Sequence, residues 1–370
     1  MKERFAWAKG ARLIEGRARV EADLRTALSG APFRIGGPSL QDAPLQAGQG
    51  EFETLTSGSS GAPRRILRTM GSWIASFGVN GGLFGIGTGV RVAVLGELEQ
   101  SLAMYGAIEA LHLGADLAVL GGQSPARQMA GLVGVDAVWA SPAQLRLLLA
   151  AAGDLPQLRR VIVGGSKLDD RLRAELGART GAEISEFYGA AEASFITLAR
   201  AGTPSGSVGA PYPGVEVALR GGEVWLRSPY VFLRYAGADR GGARWADGWL
   251  TVGEMGRIQG GQLFLAGRAG RMVTVADHNV FPEEIEARMM AMAGVRQVAV
   301  LPRKDGLRGV HLVAICQGDM AQERTILAQL RAEMGPLRAP KSITWRQDWP
   351  QLPSGKTDLQ QLQAEVDAWP

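Results

Sequence analysis

A chain of 370 residues, 46% apolar and 21% charged, is long enough to bury a substantial core and to divide into two domains. Forty basic against 36 acidic residues give a formal charge of +4, spread without a dense basic block, which argues against nucleic-acid binding and suits small anionic substrates. The single cysteine, Cys316 in the apolar run "HLVAIC", excludes an intrachain disulfide and reads as a buried structural thiol. The N-terminal stretch "MKERFAWAKGARLIEG" is broken by charges before an apolar core of signal-peptide length develops, and no run nears the ~18 apolar residues of a membrane span. The expectation is a soluble, cytoplasmic protein.

In chain order, the first notable stretch is "TLTSGSSGAPRRI", Thr54 to Ile66. Successive backbone N–H groups in a glycine-rich turn can wrap phosphate oxygens, the hydroxyls of Thr56, Ser57, Ser59 and Ser60 add donors, and Arg64 adds charge. In composition it is a phosphate cradle; a solvated surface loop is the plain alternative.

From about Arg91 to Glu192, β-rich runs ("RVAVLG", "ADLAVLGG", "DAVWAS", "RRVIVGGS", "AEISEFYG") alternate with helical patterns ("EQSLAMYGAIEALHLG", "PAQLRLLLAAAG", "DDRLRAELGARTG"). Such alternation predicts a mostly parallel sheet covered by helices, with ligands at the carboxyl ends of its strands, near "VGGS" and "FYGAAE". After Gly206 the pattern changes: "GVEVALRGGEVWLRS" and "GRIQGGQLFLAG" each have the period and the central Gly-Gly of a hairpin. Beyond about Gly270, helix "PEEIEARMMAMAG", strands "VRQVAVLP" and "VHLVAICQG", helix "AQERTILAQLRAEMG", strand "SITWRQ" and terminal helix "LQQLQAEVDAW" predict a smaller unit. The expected fold is α/β: a large N-terminal domain over residues 1–268, with mostly parallel sheets and a β-rich subdomain, and a small α+β C-terminal domain over 271–370.

Several motifs fail on inspection. "PSGKT" is not a Walker sequence, because position 350 is Pro350 where glycine is needed. "GIGTGV" lacks the third glycine of a dinucleotide fingerprint, and three histidines with no G-x-S-x-G elbow argue against a serine hydrolase or a His-based metal site.

Five stretches in register, "TSGSSGAPR", "EFYGAAE", "GWLTVGEMGR", "GRAGRMVTVADHNVFPEEIE" and "LPSGK", resemble the adenylate-forming superfamily of acyl-CoA synthetases, nonribosomal adenylation domains and luciferases, over roughly Thr54 to Lys356. The resemblance implies activation of a carboxylic acid with ATP and Mg²⁺ to an acyl-adenylate, then transfer to a thiol, with coenzyme A as cosubstrate or a carrier protein as acceptor. It implies that Thr56, Ser57, Gly58, Ser59, Ser60 and Gly61 hold the β- and γ-phosphates, with Arg64 where the family usually has lysine. Tyr188 is expected to pack on adenine beside Gly164, Gly165, Ser166 and Gly189, and Glu192 to bind Mg²⁺. Glu254 stands in place of the aspartate that grips the ribose, joined by Arg268. Gly270 falls at the hinge of a mobile lid, and Lys356 matches the lysine that bridges carboxylate, ribose and α-phosphate. The acyl pocket is expected around Met104, Tyr105, Phe187 and Ala190.

The sequence also departs from that pattern. Ala191 replaces a threonine whose hydroxyl contacts phosphate, Thr274 a lysine, and Asp277 a glycine. The lost hydroxyl costs on the order of 1 to 3 kcal/mol if nothing replaces it. Only about fifty residues precede the phosphate loop, fewer than in typical relatives, and the expected length is similar to that of compact members of the family, including some o-succinylbenzoyl-CoA ligases. The alternative functions are a stand-alone adenylating enzyme that loads a carrier protein and a degenerate nucleotide-binding protein without turnover.

Overall fold

The computed structural model describes residues 4–36, 43–55, 64–237, 241–275, 278–305, 309–352 and 355–369. An eight-stranded sheet runs in the order 13–15, 116–119, 91–94, 137–140, 160–163, 183–190, 194–199, 210–211. It is parallel through the strand Glu183–Ala190 and antiparallel for the last two members. Alternate residues of each central strand feed two different cores: Val92, Val94, Trp139 and Ile162 lie in one, Ala93, Leu95, Val138 and Val163 in the other. A parallel strand buried on both faces must be apolar throughout, which is why these runs read as continuous hydrophobic segments.

The helix Ser101–Leu113 and the helix Met70–Phe84 pack into the first core, and Pro142–Leu149 and Asp170–Thr180 into the second. Met70–Phe84 was not legible, since Gly71, Gly78, Gly81 and Gly82 weaken its helical signal. It holds because Thr69 caps it, accepting from Ser72 N–H at 3.1 Å, and because Trp73, Phe77 and Phe84 are buried.

Both expected hairpins form. Gly221 and Gly222 (φ 59° and 81°) turn the strand Glu216–Arg220 onto Glu223–Arg227, and Gly260 and Gly261 (57° and 74°) turn Glu254–Gln259 onto Gln262–Arg268. Two consecutive positive φ values are what a two-residue hairpin turn demands. In the C-terminal part, Val295–Asp305, Gly309–Gly318 and Ile343–Trp345 form a three-stranded sheet. Helices Pro282–Met290 and Glu323–Met334 cover one face and Leu359–Asp367 the other, again by alternation, with Val300 in one core and Ala299 and Leu301 in the other. Cys316 is fully buried there, and burial pushes its thiol up to about 12. Among the described residues no helix is long and apolar enough to cross a membrane.

Within the first core lies a polar island. Asn80 Nδ2 donates to Glu109 Oε1 at 2.8 Å, Tyr105 Oη lies 2.7 Å from Ser76 Oγ, and Tyr212 Oη donates to Asn80 Oδ1 at 2.6 Å. Glu109 is completely buried and its Oε2 has no partner among the described residues. Burial raises its pKa from the ordinary 4.5 to about 8, against the bonds from Asn80 and Tyr105. Glu109 is therefore a neutral acid at pH 7, carrying a proton that the unfolded chain releases. The stabilising effect is complete below about pH 4.5 and is lost as pH rises to about 8, with a slope of up to about 1.4 kcal/mol per pH unit. Urea denaturation from pH 5 to 8.5 should show that slope reduced in Glu109→Gln relative to the unaltered chain; parallel profiles would show that Glu109 is already ionised in the fold.

Candidate functional site

The last parallel strand, Glu183–Ala190, ends in a tight reversal into the antiparallel strand Ser194–Ala199. Ser194 adopts φ 59°, and a Cβ on Gly189 would fall 2.0 Å from the Ser194 carbonyl oxygen, so only glycine lets the two strands close. Ala191 and Glu192 occupy the tip. Glu192 thus stands at the carboxyl end of a parallel strand, where ligands of such sheets collect.

Three interactions hold this tip. The Glu192 carbonyl accepts from Phe232 N–H at 2.7 Å, and its carboxylate Oε1 accepts from the Tyr235 hydroxyl at 2.9 Å. The third comes from Arg68, whose Nη2 donates to the Ala191 carbonyl at 2.7 Å while Nη1 donates to the Tyr230 carbonyl at 2.8 Å and Ser72 Oγ at 3.3 Å. Arg68 is 1% exposed. Burial lowers its pKa to about 9, opposed chiefly by the Glu192 charge, so it stays a cation at pH 7.

Glu254 and Arg268 face each other across the second hairpin, in register, with Arg268 Nε donating to Glu254 Oε1 at 3.0 Å. The hairpin explains how residues fourteen apart in sequence meet. The Tyr188 ring packs against the core, while its buried hydroxyl finds no hydrogen-bond partner among the described residues. Burial and then the charge of Glu254 raise that phenol well above its ordinary value, with Arg268 opposing. Lys356 arrives from the C-terminal part, in a turn closed by the pairing of Gln351 with Thr357 and by Leu352 N–H donating to the Lys356 carbonyl at 2.8 Å. Burial, then Arg268, lowers the proton affinity of its ammonium, and Glu192 and Glu254 oppose them. Tyr188, Glu192, Glu254, Arg268 and Lys356 therefore share one electrostatic neighbourhood.

The remaining expected residues fall as follows. Gly164, Gly165 and Ser166 follow the strand Arg160–Val163; Gly165 has φ 93°, and a Cβ on Gly164 would lie 2.2 Å from the Phe187 ring. Thr56, Ser57, Gly58, Ser59, Ser60 and Gly61 lie outside the described residues, as does Asp277. Their described flanks pair Leu55 with Arg65, and buried Glu53 binds Arg34 at 2.9 Å and Arg65 at 3.4 Å. The Arg64 charge acts on the Tyr235 phenol. Gly270 sits in the short 3-10 turn Ala269–Arg271, where an added Cβ would meet nothing within 4 Å. Thr274 donates to Asn279 Oδ1 at 3.2 Å in the hairpin of Val273–Val275 with His278–Val280. Phe187 and Ala190 belong to the site strand and are half-buried. Met104 and Tyr105 are instead enclosed in the core, Tyr105 by Trp73, Phe77, Trp139 and Phe195.

Sequence reasoning missed Arg68 and Tyr235. Arg68 had a signal: in the strand Arg65–Thr69 it shares the face of Ile66, an inward position where a charge needs a purpose. Tyr235 had none, since its role depends on a partner far away in sequence.

A family model described as "AMP-binding enzyme" matches residues 22–236. The chain is 28% identical to an uncharacterised acyl-CoA ligase, YhfT of Bacillus subtilis, over 81% of its own length and 65% of that protein. It therefore spans about two thirds of that relative. Its fold matches the ATP-bound MatB of Rhodopseudomonas palustris with a TM-score of 0.76 at 21% identity, over 86% of this chain and 68% of that one. It matches the o-succinylbenzoate CoA synthetase of B. subtilis with a TM-score of 0.73 at 20% identity, over 84% of this chain but 68% of that one. That enzyme is thus the longer of the two.

The tip geometry is testable through Gly189. Gly189→Ala forces a Cβ into backbone and should lower stability by about 1–3 kcal/mol in urea denaturation; an unchanged midpoint would contradict so tight a reversal.

Proposed function

Because the chain belongs to the AMP-binding enzyme family, we propose that it activates a carboxylic acid with ATP and passes the acyl group to a thiol, coenzyme A first among candidates. The observation that carries this reading is the convergence of Lys356 with Glu192, Glu254 and Arg268, supplied by distant parts of the chain.

In the proposed first step a substrate carboxylate oxygen attacks the α-phosphorus, and the bond to the leaving pyrophosphate breaks. Negative charge grows on the phosphoryl oxygens as it does so. Lys356 presents a flexible ammonium to that charge, and its partly desolvated setting strengthens the interaction. Glu254 accepts the ribose hydroxyls with its carboxylate steadied by Arg268. Tyr188 lies against adenine, beside Gly164, Gly165, Ser166 and Gly189. Thr56 to Gly61, with Arg64, hold the β- and γ-phosphates. In the second step a thiolate attacks the acyl carbonyl and AMP departs.

Magnesium fits the donor set. Mg²⁺ bound with a nucleotide commonly takes one or two carboxylates plus phosphate oxygens, and Glu192 offers one half-buried carboxylate with a single oxygen engaged. Bound there it would neutralise phosphate charge; Glu192 would be its protein ligand. Phe187 and Ala190 are the accessible part of the proposed acyl site, with Met104 and Tyr105 as its rear support. Use of ATP and coenzyme A, with a free buried thiol in place of disulfides, fits a cytoplasmic location.

We further propose that residues 271–370 act as a lid on residues 1–268, pivoting near Gly270, to exchange the adenylation face for a thiol-transfer face. Arg271 is fastened to that part, donating to Glu286 at 2.7 Å and to the Val300 carbonyl at 3.2 Å.

Carboxylate-dependent ATP–pyrophosphate exchange across a panel of acids tests the first step; a wholly negative panel would favour a nucleotide-binding protein without turnover. Offering coenzyme A against a holo-carrier protein then identifies the acceptor. Lys356→Ala should slow exchange by about 10²–10³-fold and leave transfer from a supplied acyl-adenylate nearly intact; unchanged exchange would remove it from the site. Gly270→Pro should alter the two half-reactions unequally, and equal effects would count against the pivot.

A further inference from the structure

We propose that Tyr235 is a positioning residue that commits one oxygen of the Glu192 carboxylate and leaves the other for a divalent cation. The proposal rests on the adenylation reading above. A phenol carries one hydrogen. Ala243 N–H donates to the Tyr235 oxygen at 3.2 Å, which occupies one acceptor side of that oxygen, and the hydroxyl hydrogen is directed to Glu192 Oε1 at 2.9 Å. Among the described residues the Glu192 carboxylate has no other hydrogen bond and no ion pair. Arg68 and Lys356 act on it only through their charge.

The phenol is itself fixed on three sides. Its backbone pairs with Ile66, and Ala236 N–H donates to the Arg65 carbonyl at 2.9 Å, so it rides on the strand that carries Arg68 and leads out of the segment 56–63. Phe232 packs edge-on against the ring, with centroids 5.0 Å apart. Gly241 lies so close that a Cβ there would fall 1.9 Å from Tyr235 Cζ.

Magnesium demands near-ideal octahedral geometry, so a site with one protein carboxylate depends on how that carboxylate is turned. Losing a hydrogen-bond partner of a metal ligand typically costs 10–100-fold in metal affinity or activity. Tyr235 would supply that partner, and Arg68 the fixed backbone beneath it.

The test is calorimetric binding of ATP to the full chain, with excess Mg²⁺ and again with EDTA. In Tyr235→Phe, binding with Mg²⁺ should weaken by about 10–100-fold while metal-free binding is unchanged. Glu192→Gln should show the same selective loss, and the double variant no further loss, because the two act through one carboxylate. Gly241→Ala displaces the phenol without removing it and should weaken Mg²⁺-dependent binding in the same sense, which keeps the proposal falsifiable if Tyr235→Phe does not fold. A folded Tyr235→Phe with its Mg²⁺ effect intact overturns the proposal, as does equal weakening with and without metal, or additivity with Glu192→Gln. If the unaltered chain binds no ATP, the adenylation reading itself fails and takes this inference with it. If it binds MgATP and Tyr235→Phe behaves identically, only the inference fails.

Discussion

Charges drawn from distant stretches of chain into one half-buried neighbourhood are the constraint on which the rest of this molecule depends. Glu192 and Glu254 face Arg68, Arg268 and Lys356, yet only Glu254 and Arg268 are directly bonded among these five in the described structure. Taking charge out of water is expensive unless geometry compensates. Among the described residues that compensation includes the Glu254–Arg268 bond and the carbonyl acceptors of Arg68. The large parallel sheet sets Glu192 at the end of one of its strands, where ligands of such sheets collect.

The architecture supplies that presentation through reversals. The sheet changes from parallel to antiparallel at the strand bearing Tyr188 and Gly189, and the change of direction throws Glu192 out at the tip. A second reversal, through Gly260 and Gly261, sets Glu254 opposite Arg268. A third, at Gln351 and Thr357, holds the Lys356 backbone. Among the described residues, Glu192, Glu254 and Arg268 are thus carried at or beside strand reversals rather than on long loops.

Much of this was legible, and the reason is periodicity. Strands buried on both faces are apolar throughout, so Arg91–Val94, Ala137–Ala140 and Arg160–Val163 announce themselves, and paired glycines mark the hairpins because few other residues accept two positive φ values in succession. Glu254 and Arg268 were legible as candidates only through the motif resemblance; the hairpin register then accounts for their pairing. The glycine-rich helix Met70–Phe84 was not, because its stability comes from buried aromatic rings rather than local propensity. Tyr235 was invisible because the strand Arg234–Tyr235 is two residues long and exists only by pairing with Ile66 and Leu67, far upstream. Tyr105 was legible only as an aromatic near the expected pocket; the four rings and the hydrogen-bonded island that enclose it are assembled from stretches too far apart in sequence to read in advance.

That island has a further consequence for how the molecule behaves as an ion. The formal charge of +4 counts every glutamate as an anion, but the folded chain retains the hydrogen on Glu109 at neutrality. In native electrophoresis at pH 7 that one group makes the folded chain more cationic than its composition implies, and unfolding liberates the hydrogen into the buffer. Folding and acid–base stoichiometry are thereby tied together in the middle of an aromatic core.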